Sequence, residues 1–321
     1  LGNVTELEYG TSGCGSCGGG GQQKLTGVID ANHVDDPEPR AKTSYRYDQA
    51  GRLISETDPL GKTLLYKYYP SGKLYRTYFD TNANLSIDDG SDQLLLSYTY
   101  DLDGQLLDKI DHIDSETTSF TYDDNGRLET ATNPNISYTM TYYDNGWLKT
   151  VTDSNDRVIR YDAYDGNGQR DLVTLFPGTA DERILDYGFD SYGRLQTIAT
   201  ELDDQSAGNE QFVIGYDGWG RKETLSYPNG VFATYSYDDA NKMDWLTGIA
   251  YTDGPGGASI LNIGYPLHDK AGNRKQRTED GVTTDYQYDD LYQVTQTKTG
   301  LSEENFVWDA VGNRRNGPTV K

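Results

Sequence analysis

Large apolar side chains recur in pairs two residues apart, each pair followed by a short polar stretch, along nearly the whole chain. Tyr45 with Tyr47, Tyr66 with Tyr68, Tyr98 with Tyr100, Phe120 with Tyr122 and Tyr286 with Tyr288 are such doublets. Residues i and i+2 share one face of a strand, so each doublet predicts a strand with one apolar side. The polar stretch that follows is a turn in chemical terms. An Asp can bond its side chain to backbone two residues on, and a Gly three residues later accepts positive φ without steric cost. A further apolar residue, usually Leu, then opens a returning strand. The pattern therefore predicts a β-hairpin.

Written out, the phrase is aromatic-Asp-x-x-Gly-x-Leu. It is seen as Tyr47, Asp48, Gly51 and Leu53; as Tyr100, Asp101, Gly104 and Leu106; as Tyr122, Asp123, Gly126 and Leu128; and as Phe189, Asp190, Gly193 and Leu195. It opens at positions 47, 68, 100, 122, 142, 164, 189, 216, 237, 268, 288 and 308, with spacings of 20 to 22 residues and four longer steps of 25 to 32. The Gly place holds Asn241 and Tyr292 in two units, and the Leu place holds Met243 in one and Arg in those at 164, 268 and 308. Asn tolerates the left-handed region; Tyr does so only with difficulty.

Several units close on a second turn, such as Asp58-Pro59-Leu60-Gly61 or Tyr227-Pro228-Asn229-Gly230. Two strands of about six residues and two turns of about four fill a unit of about 20, which leaves no room for a helix. The predicted fold is all-β: tandem antiparallel β-hairpins forming a curved or spiralling ribbon, each hairpin stable only through its neighbours. Twelve hairpins give about 24 strands, and a ribbon about 115 Å long at about 4.8 Å per strand. The expected organisation is a partial repeat and a Gly/Cys-rich loop over 1–42, a repeat array over 43–315 read as one solenoid-like domain, and a tail over 316–321. The opening Leu1 to Tyr9 aligns with Leu60 to Tyr68, so the chain is expected to start midway through a unit, as a slice of a longer protein.

Composition sharpens this picture. The 321 residues include 27 Tyr, which supply most of the aromatic mass. A Tyr ring buries area in a thin sheet while its hydroxyl reaches water or a backbone acceptor. The net charge of -23 argues against nucleic acid and anionic membrane as partners, since both need clustered Lys and Arg. No apolar run reaches about 18 residues, so no transmembrane helix is expected.

Candidate chemistry is sparse. Cys14 and Cys17 form a lone C-x-x-C, with His33 as a distant third ligand: inert or disulfide-forming thiols, half of a metal site, and a redox pair are all open. The same stretch matches G-x-G-x-x-G but lacks the strand-to-helix setting of a dinucleotide site. Asp80, Asn82 and Asn84 fill the first, third and fifth places of a calcium loop. Leu85 stands where Gly is wanted and Ser91 where Glu is. The pattern thus predicts at most a weak calcium site, using Asp92 and a carbonyl near Ser86, against a solvated loop rich in Asx turns. G-x-S-x-G, the P-loop and H-E-x-x-H do not occur, so the reading is non-enzymatic, with no cofactor other than calcium. His268 occupies the aromatic place of its unit.

The tandem Tyr-Asp-x-x-Gly-Arg-Leu array, ending in units of the Asp-Ala-x-Gly-Asn-Arg type, resembles the YD-repeat (Rhs) family over roughly residues 43 to 315. That family includes bacterial Rhs polymorphic toxins, the B and C components of Tc toxins, and teneurins. The resemblance implies a segment of a hollow shell, secreted or at the cell surface of a bacterium, whose partners are the remaining repeats and a C-terminal cargo. The alternative is an adhesin or scaffold binding an extracellular protein or glycan through exposed aromatics. The family's self-cleaving core motif finds no counterpart; Asp58-Pro59-Leu60-Gly61 comes nearest but lies at an ordinary turn.

Overall fold

A computed structural model describes residues 4–12, 22–32, 40–202, 210–238, 244–315 and 319–320. Among them there is no helix; 26 strands form one antiparallel sheet. The chain divides into two compact units, Leu1–Phe120 with Tyr286–Lys321, and Thr121–Asp285.

The first unit opens with β1 (Glu6–Ser12) and β2 (Gln22–Ile29), which pair as a hairpin; β2 then pairs with β3 (Thr43–Tyr47). Tyr9 faces Leu25 as Tyr47 faces Leu53, so the hairpin obeys the register of the phrase although no phrase is written there. The ladder continues through β4 (Leu53–Thr57), β5 (Thr63–Tyr68), β6 (Leu74–Phe79), β7 (Gln93–Tyr100) and β8 (Leu106–Asp111).

Eleven of the twelve phrases build the same turn, the one at 237 being longer. At Tyr47, the Asp48 N–H donates to the Arg52 carbonyl (2.9 Å) and the Gly51 N–H to the Asp48 carbonyl (3.0 Å), with Gly51 at φ 78°. The register slips by one residue just before the aromatic, between Arg46 and Tyr47, and it slips at the same place in the units at 68, 100, 142, 189, 216 and 237. A β-bulge is thus a standing part of the unit, and it raises the local twist.

Two readings of the sequence change. In the unit at 237, Tyr237 pairs with Leu246, not with the residue at 243. The turn carries three extra residues, and Asp244 (φ 55°), Trp245 and Leu246 take the Gly, x and Leu places. Met243 and Asn241 themselves lie outside the described residues. Tyr292 does adopt the left-handed conformation, at φ 64°, half-exposed at the tip of its turn. There the turn's two backbone bonds hold a conformation that costs a side chain of this size of order 1–2 kcal/mol.

The core is small. In the first unit Arg46, Ser55, Leu65 and Tyr78 stand side by side on β3, β4, β5 and β6, and Ser55, Leu65 and Tyr78 are almost wholly buried. The cover is the 80–92 connection between β6 and β7. Asp89 accepts from the Tyr78 hydroxyl (2.6 Å) and pairs with Lys67 (3.3 Å), and the Leu85 carbonyl accepts from Arg46 (2.8 Å). In the second unit Tyr161 and Val173 are cross-strand partners and both are buried.

Candidate functional site

The recurring chemistry sits in the row of phrase turns. Asp123 shows the full set: its Oδ1 accepts from the Asn125 N–H (3.0 Å) and the Arg127 N–H (2.9 Å), and its Oδ2 from Arg127 Nε (2.7 Å). Asp48, Asp190 and Asp217 repeat the pattern with Arg52, Arg194 and Arg221. All four carboxyls are held below the usual aspartate range. For Asp123 the guanidinium bond is the largest cause; for Asp48, Asp190 and Asp217 burial is the largest single effect and pushes upward, but the arginine's N–H and guanidinium together outweigh it.

Each Arg then reaches the next unit. Arg52 lies over the Tyr68 ring at 4.9 Å, Arg127 over Tyr142 at 4.6 Å, Arg194 over Tyr216 at 4.2 Å and Arg221 over Tyr237 at 4.4 Å. The ring so covered points its hydroxyl back at the preceding hairpin. Tyr68 donates to the Leu53 carbonyl (2.6 Å), Tyr142 to Leu128 (2.7 Å), Tyr164 to Leu148 (2.5 Å), Tyr216 to Leu195 (2.6 Å) and Tyr237 to Lys222 (2.8 Å). Trp308 does the same through its indole N–H, to Val294 (2.9 Å). The bonded carbonyl always belongs to the residue in the Leu place, so even Lys222 serves: a backbone acceptor is indifferent to the side chain.

The phrase is therefore a joint between hairpins as much as a turn within one. Sequence reasoning saw the turn and missed the joint, although Arg at the sixth place of four units was the available signal. In two of the units without Arg an indole substitutes: Trp147 packs on Tyr164 (4.8 Å) and Trp245 on His268 (5.1 Å). The indole of Trp245 lies 2.9 Å from where a Cβ on Gly272 would sit, so this glycine is needed for closeness as well as for its φ of 91°. His268, as expected, stands in the aromatic place; burial lowers its pKa.

Arg194→Lys is expected to cost about 1 kcal/mol, because an ammonium keeps the charge but loses both the fork onto Asp190 and the flat contact with Tyr216. Urea melts of the two chains would measure it; equal midpoints would reduce the stack to a bystander.

Aromatic surface remains exposed along these turns. Tyr192 is 83% and Trp219 73% exposed, and Leu102 is fully so. In the second unit Tyr143, Asp144, Asn145, Trp147, Asp162, Ala163 and Tyr164 line a cleft of about 410 Å³. Apolar walls with a few carboxylates and amides at the rim suit a sugar or a peptide side chain.

The residues of the calcium pattern come together in the 80–92 connection. Asp80 and Asp92 are buried rather than solvated, and Leu85 takes φ 59°, the conformation for which Gly was expected. Cys14, Cys17 and His33 lie outside the described residues. No cluster of three or more His, Cys, Asp or Glu side chains suited to a metal occurs among the described residues.

Comparison with known proteins follows the same lines. The RHS Repeat family model matches residues 22–63 and 100–135. Among solved structures, the crystal structure of TcdB2-TccC3 without its hypervariable C-terminal region is similar over 92% of this chain and 16% of its own, at 18% identity and a TM-score of 0.64. The TcdB2-TccC3-Cdc42 structure (15% identity, TM-score 0.50, 91% of this chain and 15% of that one) and the Tc holotoxin pore of Photorhabdus luminescens (14%, 0.50, 97% and 18%) are similar as well. At these identities the likeness is one of fold, and this chain spans less than a fifth of each of those chains. No curated protein matches the sequence.

Proposed function

We propose that the chain, whose residues 22–63 and 100–135 match the RHS Repeat family, is throughout a YD (Rhs) repeat array, a wall segment that encloses or presents a polypeptide cargo and carries out no catalysis itself. The observation behind this reading is the joint: in unit after unit a ring, with a guanidinium or indole over it, ties its hairpin to the one before, so the recurring chemistry of the repeat serves continuity of the wall. The doublet residues share one face of each hairpin, as in Tyr66 with Tyr68, and offer a cargo non-directional apolar contact. The partners on this reading are further repeats of the same polypeptide and other components of a toxin complex, and the setting is outside the cell.

A second reading, a binding scaffold for a glycan or protein, draws on Tyr192, Trp219 and the cleft at Trp147. One experiment separates the two. A full-length polypeptide carrying this segment, treated with protease under native conditions, is expected to keep its enclosed portion intact while a denatured control is cut. Equal cutting in both, together with glycan or protein binding that Trp147→Ala abolishes, would overturn the wall in favour of the scaffold.

A further inference from the structure

We propose that the 80–92 connection binds one calcium ion, ligated by Asp80 Oδ1, the side-chain oxygens of Asn82 and Asn84 and a carbonyl near Ser86, with Asp92 closing the site. Calcium takes six to eight oxygens at irregular angles, and a loop supplies them most readily when alternate residues turn inward.

The telling observation is Asp80. The residue is only 6% exposed, and its Oδ1 is buried without a hydrogen-bond partner. Its other oxygen, Oδ2, accepts from the Leu85 N–H at 2.9 Å, across the curve of the loop, so the carboxyl group lies inside that curve. A buried carboxylate oxygen left without a partner costs several times what an ordinary hydrogen bond contributes, and native structures rarely tolerate one. A cation at that oxygen removes the anomaly.

The surrounding groups are consistent with it. Asn82 Oδ1 accepts from the Asn84 N–H (3.0 Å) and Asn84 Oδ1 from the Ser86 N–H (2.8 Å). Each amide oxygen has a second lone pair for a metal. Asp92, 8% exposed, accepts from the Thr81 N–H (3.2 Å) and the Asp88 N–H (2.7 Å), and so pins both ends of the loop. Its carboxylate has lone pairs to spare. Asp80 and Asp92 together bring two negative charges into a nearly dry place, which a divalent ion balances. With two carboxylates rather than the four or five of a tight site, the dissociation constant falls at about 0.1–1 mM, in the range of extracellular calcium modules.

The position gives the ion a structural consequence. This connection is what covers Leu65 and Tyr78, through Asp89 and the Leu85 carbonyl. Calcium would fix the cover over the core of the first unit.

The test is a pair of thermal melts of the 321-residue chain, in EDTA and in 10 mM CaCl2, with MgCl2 at equal ionic strength as the control and titration calorimetry for affinity. Calcium is expected to raise the melting midpoint by about 2–4 °C and magnesium by much less. Asn84→Ala gives up the exposed bond from the Ser86 N–H, so it is expected to melt slightly below the parent in EDTA, and to lose at least about tenfold in calcium affinity together with most of the calcium-induced rise. Terbium, whose luminescence Tyr78 can sensitise, reads the site in the parent chain directly and should be displaced by calcium. No heat and no shift, an equal response to magnesium, or an Asn84→Ala chain that binds calcium like the parent would each overturn the proposal.

Discussion

Leu65→Ala is expected to lower stability by about 3 kcal/mol, whereas Leu102→Ala should change it by less than about 0.5 kcal/mol. Leu65 is 1% exposed between Ser55 and Tyr78, under a connection that is itself tied down at Arg46, Lys67 and Tyr78. The cover cannot sink into the space left behind while those ties hold, so the cavity persists and the cost sits well inside the range for buried leucines. Leu102 projects from a turn tip into water. Urea unfolding of both variants would measure the contrast. A small loss at Leu65 would mean that the connection settles onto the strands freely and that the buried row is not a core.

Acid is expected to produce the other large effect. Asp48, Asp123, Asp190, Asp217, Asp269 and Asp309 in the phrase turns, and Asp153 in a turn that closes a unit, all have folded-state pKa values below the ordinary one. A group with a depressed folded pKa contributes stability that is fully present above the unfolded pKa of about 3.9 and is lost as the pH falls through the folded pKa. The chain should therefore melt at a nearly constant temperature from pH 7 to about 5 and lose stability steeply below about pH 4. Relief of repulsion in a chain of net charge -23 acts in the opposite direction as carboxylates protonate. A melting point that keeps rising down to pH 3 would show that this relief, rather than the turn bonds, dominates. Circular dichroism melts across the range would decide.

How much of this could be read from the chain depends on how local the cause is. The strands, the turns and the shared face of each doublet follow from residues a few places apart, and those were legible: Asp123 and Gly126 are five and two places from Leu128 and need no tertiary partner to make their turn. The Arg–Tyr joint was harder, because Arg127 and Tyr142 meet only when two hairpins lie at the spacing of a sheet. Leu246 was missed in favour of residue 243 because three extra turn residues shift the phrase without altering its composition. Leu85 was read as a departure from the calcium pattern, yet its N–H bond to Asp80 holds the left-handed conformation that glycine would have adopted freely. The burial of Leu65 was not legible at all: nothing in Thr63-Leu64-Leu65-Tyr66 says which of the two leucines will be roofed by a connection that begins 15 residues later.

The hydroxyl that Tyr68, Tyr142, Tyr164, Tyr216 and Tyr237 send to the preceding hairpin also bears on how such a chain can grow. Its acceptor is a main-chain carbonyl, and its donor is the first residue of the next phrase, so these joints share the same two halves whatever the other residues are. Copying one whole unit of 20 to 22 residues creates two junctions of the kind already present and asks nothing new of distant parts. Copying half a unit would instead set a ring beside a strand that lacks the Leu-place carbonyl. Genes encoding such arrays can thus lengthen or shorten by recombination in whole steps, while the sheet keeps one construction throughout.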